Sequence, residues 1–147
     1  MNIALKSVCA FLLGLGVTAP VYAQLRVEQA WTRATPVVSP VLGGFLVVTN
    51  SGDTQDRLLR VEAAIAKSVV IHQMRNDNGV LRMRAVKDGL PISAHGKLEL
   101  KPGGAHLMLM GVQRQLRAGE QFEAKLVFEH AGEIPVRFDV RALTAGS

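Results

Sequence analysis

Phe122-Glu123-Ala124-Lys125-Leu126-Val127-Phe128-Glu129, followed after a turn by Val136-Arg137-Phe138-Asp139-Val140-Arg141, decides the fold class of this chain. In the first segment Phe122, Ala124, Leu126 and Phe128 recur at every second position and so share one face, while charged residues dominate the other. In the second segment the alternation is strict, apolar then charged. A period of two marks a half-buried strand, since an apolar helical stripe recurs at about 3.6 residues instead. Packing one such face against a second sheet contributes about 1.5–3 kcal/mol per large side chain.

Working outward from this pair, short apolar runs rich in β-branched residues recur along the chain. They occupy 26–33, 44–49, 56–61, 68–75, 80–86, 97–100, 106–110, 122–129 and 135–142. Turn-forming clusters divide them: Asn50-Ser51-Gly52-Asp53, Asn76-Asp77-Asn78-Gly79, Lys101-Pro102-Gly103-Gly104, Ala118-Gly119-Glu120 and Ala131-Gly132-Glu133. There is no long helical periodicity, no linker and no internal repeat. Eight to nine short strands at this spacing predict an all-β chain, an antiparallel β-sandwich of one domain. Trp31, in the first predicted strand, is expected to anchor the core.

The amino-terminal end reads differently. Lys6 gives a short positive region, an apolar stretch runs over 8–17, and Val21-Tyr22-Ala23 has the small-x-small form of a processing site. The pattern predicts a secretory signal peptide over 1–23, cleaved after Ala23, ahead of a sandwich domain over 24–147. The apolar stretch is shorter than the roughly 20 residues of a spanning helix, and Pro20 follows it, so no stable membrane insertion is expected after cleavage. Cys9, the single cysteine, leaves with the leader. A mature domain without cysteine is no thiol oxidoreductase, blue-copper protein or thiolate zinc site.

The net charge of +5 comes from scattered basic residues with no Lys/Arg block and few aromatics between them, which argues against nucleic-acid binding. Mild attraction to an acidic partner or to anionic headgroups remains open. Hydrolysis is disfavoured as well: Ser39, Ser51, Ser68 and Ser93 lie in no nucleophile-elbow context. We therefore expect no enzyme.

Four histidines and, beyond Met1, four methionines remain, most of them in two places. One is Ile71-His72-Gln73-Met74, continuing through a turn to Leu81-Arg82-Met83-Arg84. The other is Ala105-His106-Leu107-Met108-Leu109-Met110. Asn78-Gly79 is a strong two-residue hairpin turn, which pairs Asp77 with Val80 and sets Met74 opposite Met83. A four-residue loop over 76–79 would set His72 opposite Met83 instead. In both registers His72, Met74 and Met83 share a face; a three-residue loop without a bulge would break that parity. His106 and Met108 likewise project to one side, and Gly103-Gly104 before them allows a close approach. If the two segments meet, two imidazoles and two thioethers face one ion. Soft, neutral thioethers favour Cu(I), and imidazole accepts copper in either oxidation state. The expected ligands are His72, Met83, His106 and Met108, with Met74 as an auxiliary candidate. His95 and His130 lack a Met neighbour at strand spacing and are expected to face solvent. Met110 follows the alternation of Met108 or points into the core.

The spacing of His72, ten residues, Met83, twenty-two residues, His106, one residue, Met108 resembles the motif of the periplasmic copper chaperones called PCuAC. The likeness extends to Ala30-Trp31-Thr32-Arg33-Ala34-Thr35, to Asn50, to Asp56-Arg57-Leu58, to Gly79-Val80-Leu81-Arg82-Met83-Arg84 and to the run from Pro102 through His106 and Met108 to Gly111. It implies a cupredoxin-like β-sandwich with one solvent-near Cu(I) per monomer, held at His72, Met83, His106 and Met108. It also implies a periplasmic carrier that delivers copper to an acceptor protein, typically towards the binuclear copper centre of a cytochrome c oxidase subunit, alone or with a second copper chaperone. Two departures stand out. The gap before His106 is one residue longer than the commonest form, and no His/Met-rich tail follows Leu143, so a second, Cu(II)-type site is not expected. The competing expectation is an exported, metal-free β-sandwich that serves as a binding or interaction module.

Overall fold

The computed structural model describes residues 24–145, so the leader expected over 1–23, Cys9 included, lies outside the described residues. Ten strands build the fold: β1 (Leu25–Arg33), β2 (Val41–Asn50), β3 (Asp56–Ala63), β4 (Ser68–Asp77), β5 (Val80–Ala85), β6 (Leu90–Ile92), β7 (Lys97–Leu100), β8 (His106–Met110), β9 (Gln121–Phe128) and β10 (Gly132–Arg141). No helix occurs among the described residues. The strand that the sequence reading missed is β6, three residues long with Pro91 at its centre. Proline donates no ladder hydrogen bond and is tolerated at a sheet edge; β6 pairs only with β3 and ends the sheet.

The hydrogen-bonded order is β5-β4-β8-β2-β1-β10-β9-β3-β6, with β7 also on β2. β2 changes partner along one flank, pairing β8 over 41–44 and β7 over 46–49. The expected antiparallel β-sandwich is what the pairings build, with one exception, β1 with β10, which run parallel. Parallel neighbours cannot be joined by a tight turn. These two strands open and close the fold, and the rest of the domain serves as their connection.

Alternation then sorts the side chains into a sandwich core. Leu46 and Val48 of β2, Ile71 of β4, and Leu107 and Leu109 of β8 meet Leu58 of β3, Leu126 and Phe128 of β9, and Phe138 and Val140 of β10, all buried. Phe122 and Phe138 stack at 5.2 Å across β9–β10. Asp56 is buried beneath the β9–β10 turn, where its carboxylate accepts the His130 and Ala131 amides at 3.0 and 2.9 Å.

Trp31 is buried, but it does not belong to this core cluster. A bulge at Gln29, whose φ is 52°, shifts the β1–β2 register between Glu28 and Trp31. The shift reverses the alternation begun by Leu25 and Val27, sending Ala30 and Thr32 inward and Trp31 outward. Trp31 packs instead on Phe45 at 4.6 Å, with the guanidinium of Arg141 4.9 Å from its ring.

Candidate metal centre

The β4–β5 turn is the two-residue form. Asn78 and Gly79 have φ of 54° and 86°, which a type I′ turn requires at both central positions. The Gly79 amide donates to Asn76 Oδ1 at 2.7 Å. Asp77 consequently pairs with Val80, and Met74 lies directly opposite Met83. On its other flank β4 pairs β8, with His72 opposite His106 and Val70 opposite Met108.

These registers place His72, Met74, Met83, His106 and Met108 on one face of three adjacent strands. Residues of opposite parity, Ile71, Leu107 and Leu109, fill the core. The His/Met group therefore stands on the outer side of the sandwich layer. Met110 shares this outer face, opposite Ser68, and is not part of the core cluster. Cross-strand pairs bring Cβ atoms to about 5 Å and successive same-face residues stand about 7 Å apart. Flexible methionines can close such gaps.

The two imidazoles meet edge to face, their centroids 5.5 Å apart. His106 is buried and its Nδ1 lies 2.9 Å from the Gly104 carbonyl oxygen. A carbonyl only accepts, so Nδ1 carries the proton, and in the neutral ring Nε2 is the nitrogen that has the lone pair. The Lys101-Pro102-Gly103-Gly104 turn sets up this contact. Gly103 adopts a φ of 78°, the Gly104 amide donates to Lys101 O at 3.0 Å, and the Lys101 amide donates to Ala105 O. The glycine pair thus shapes a turn that aims a carbonyl at His106.

His72 Nδ1 is buried with no hydrogen-bond partner. A buried polar atom left unpaired is costly, and such atoms are uncommon in folded proteins. Burial holds the His72 imidazole below its ordinary pKa, and the neighbouring His106 pushes in the same direction. Both causes favour the neutral ring. Among the described residues no three His, Cys, Asp or Glu side chains come together as a hard-cation site would need. The donors that share this face are imidazole and thioether.

The remaining histidines stay apart. His95 is exposed in a turn, with Nε2 2.7 Å from Asp53 Oδ1, and His130 is exposed beyond β9. In the sequence Gly104 reads only as allowing a close approach; its role through the carbonyl is one that no side-chain pattern reveals. One neighbour escaped the sequence reading. Gly43 lies opposite Met108 on β2, and a Cβ there would come 3.0 Å from Phe45 Cζ. The Gly43-Gly44 pair in an otherwise apolar strand was its available signal.

Residues 25–140 match the family model described as "Putative lipoprotein LpqE-like". The chain is 32% identical over 146 residues to "Putative lipoprotein Lxx21020" of Leifsonia xyli subsp. xyli, an alignment covering 92% of this chain and 87% of that protein. Among solved structures it is similar to the copper-bound PCuAC domain from PmoF2, with a TM-score of 0.68 and 27% identity over 82% of this chain and 95% of that one. It is also similar to the solution structure of Cu(I)-DR1885 from Deinococcus radiodurans, with a TM-score of 0.66 and 26% identity over 85% and 83% of the two chains.

Proposed function

Because this chain belongs to the LpqE-like family, the family of PCuAC domains, we propose that it is a copper chaperone that binds one Cu(I) and hands it to an acceptor protein. The domain is not an enzyme; its family and fold are those of copper-chaperone domains. The observation that carries the reading is the double register at β4, which sets His72 opposite His106 and Met74 opposite Met83 on one outer face beside Met108.

We assign His72, Met83, His106 and Met108 as ligands, with Met74 as the auxiliary. Two imidazoles and two thioethers are neutral, so the complex keeps the single charge of the ion. Thioethers select the soft cuprous ion over Zn(II) or Mg(II). Among the described residues no thiolate is present to hold the ion tightly. The orphan Nδ1 of His72 and the free Nε2 of His106 supply lone pairs where a cation would complete them. The leader over 1–23 supports export, and we place the mature chain in the periplasm, cleaved after Ala23. The assembly of the copper centre of cytochrome c oxidase is the proposed destination, reached through an oxidase subunit or a second copper chaperone.

Cu(I) titration under reducing conditions, combined with copper K-edge absorption, tests the assignment. The expected result is one Cu(I) per chain with a mixed nitrogen and sulfur shell. His106→Ala with Met108→Ala is expected to lose that binding while keeping the fold. Unchanged Cu(I) affinity in this double variant would overturn the ligand assignment, and a chain that binds no copper would be left as a metal-free interaction module.

A further inference from the structure

The β4–β5 hairpin extends past the sheet that supports it. β4 pairs β8 only over 68–72, whereas its pairing with β5 continues from His72 opposite Ala85 to Asp77 opposite Val80. Residues 73–84 thus form a two-stranded arm whose strands have no further strand neighbour among the described residues. Its two faces differ. Met74, Leu81 and Met83 line the face that carries the His/Met group, and Leu81 and Met83 are 67% and 49% exposed. The reverse face carries Arg75, Arg82 and Arg84.

The arginines are not arranged for stability. Arg75 lies directly opposite Arg82, and like charges in that position destabilise a strand pair. Among the described residues Asp77 is the one carboxylate engaged with them, 3.0 Å from Arg84 and 4.0 Å from Arg82. Arg75 makes no ion pair or side-chain hydrogen bond among the described residues. Beside it, Gln73, Arg75, Arg84, Lys87 and Asp88 line a shallow cleft of about 400 Å³. Protection of an exposed edge explains charge on β5, the terminal strand. The flank of β4 at Arg75 is likewise unpaired, so edge protection accounts for a charge there too; it does not account for setting Arg75 directly opposite Arg82 with no carboxylate on Arg75.

We propose that this arm is the docking element for the copper acceptor, and that the acceptor is a protein with an acidic surface flanking its own copper ligands. The inference rests on the copper-carrier reading. Carboxylates of the partner engage Arg75, Arg82 and Arg84, relieve the Arg75–Arg82 repulsion and bring the partner alongside the arm whose other face presents Met83. Charge of this kind acts on encounter rate and orientation more than on final affinity. It leaves Cu(I) binding itself untouched, because none of the three arginines belongs to the ligand group.

The test measures Cu(I) transfer by stopped flow from the loaded protein to two synthetic peptides that share one Met/His donor core. One peptide has glutamate flanks and the other lysine flanks. At low salt the glutamate peptide is expected to react about tenfold faster, and the difference is expected to shrink as added salt screens it. Arg75→Glu with Arg82→Glu is expected to reverse the preference at unchanged Cu(I) affinity. Asp77→Asn, which keeps every arginine and removes the compensating charge, is expected to enlarge it. Equal rates for the two peptides, or a preference that the arginine variant does not alter, would overturn the docking proposal while Cu(I) binding still upheld the carrier reading. A parent protein that binds no Cu(I) overturns both. Sedimentation with phosphatidylglycerol vesicles that is lost in the arginine variant, together with flank-insensitive transfer, would assign the arginines to a lipid surface and likewise overturn the proposal.

Discussion

β8 and the β4–β5 arm contribute to the same outer face but are supported in opposite ways. His106 sits at 9% exposure on a strand flanked by β4 and β2, its ring held by the Gly104 carbonyl. Met83 sits at 49% exposure on an edge strand with β4 as its single neighbour. Every residue of β5 is exposed, while β8 alternates ligand-face residues with the fully buried Leu107 and Leu109. The contrast suits a carrier. Under the proposed ligand assignment, an imidazole fixed in direction would give the ion a defined seat, and an exposed thioether would give it a contact that a partner can reach and replace.

The sharpest way to break the contrast is through the residue between the two β8 donors. Leu107 is completely buried in the core opposite Ile71. Leu107→Ala is expected to cost about 2–5 kcal/mol of folding stability through lost burial and the cavity left behind. The corresponding arm substitution, Leu81→Ala, is expected to stay within about 0.5 kcal/mol, since an exposed side chain loses little. Denaturant unfolding of the two variants measures the difference directly. Equal costs would show that the arm is as deeply committed to the fold as β8.

On the binding side the order of effects follows the same division. His106→Ala is expected to lower Cu(I) affinity by more than about 100-fold, because loss of even an outer-shell partner of a metal ligand costs 10–100-fold. Met83→Leu preserves shape and removes only the thioether, and a loss of about tenfold or less is expected, with Met74 opposite it as a replacement donor. Competition against a Cu(I) chelator reads both. An effect of Met83→Leu that matches or exceeds that of His106→Ala would reverse the roles of the fixed and exposed halves.

How much of this was legible in the sequence depends on how local each determinant is. The Met74–Met83 pairing followed from Asn78-Gly79, because a two-residue turn fixes register and alternation then fixes faces. The 122–128 and 138–140 faces were equally plain. By contrast, the His72–His106 pairing joins strands separated by three others in the chain, and no turn dictates it. Trp31 is buried as expected, but its packing on Phe45 rather than in the main cluster follows from the bulge at Gln29, which is not a residue type that announces a positive φ. β6 is too short for periodicity to register. The projection of the arm depends on where β8 stops pairing with β4, a tertiary fact with no signature in 68–85 itself.

The most local expected effect concerns the turn that sets the arm's register. Gly79 has a φ of 86° and open space around its missing Cβ, so an added methyl meets no neighbour and the whole cost of Gly79→Ala is backbone strain. For an alanine in the left-handed region that strain is about 1–2 kcal/mol. The arm, however, has no strand neighbour beyond itself, so it can open locally before the domain unfolds and leave part of that strain out of the global stability. Global unfolding is therefore expected to shift by about 1 kcal/mol or less, while amide hydrogen exchange in 73–84 accelerates and exchange in β8 stays unchanged. Accelerated exchange spreading equally into β8 would mean that the two regions open as one cooperative unit, and the division between a fixed seat and an exposed arm would fail.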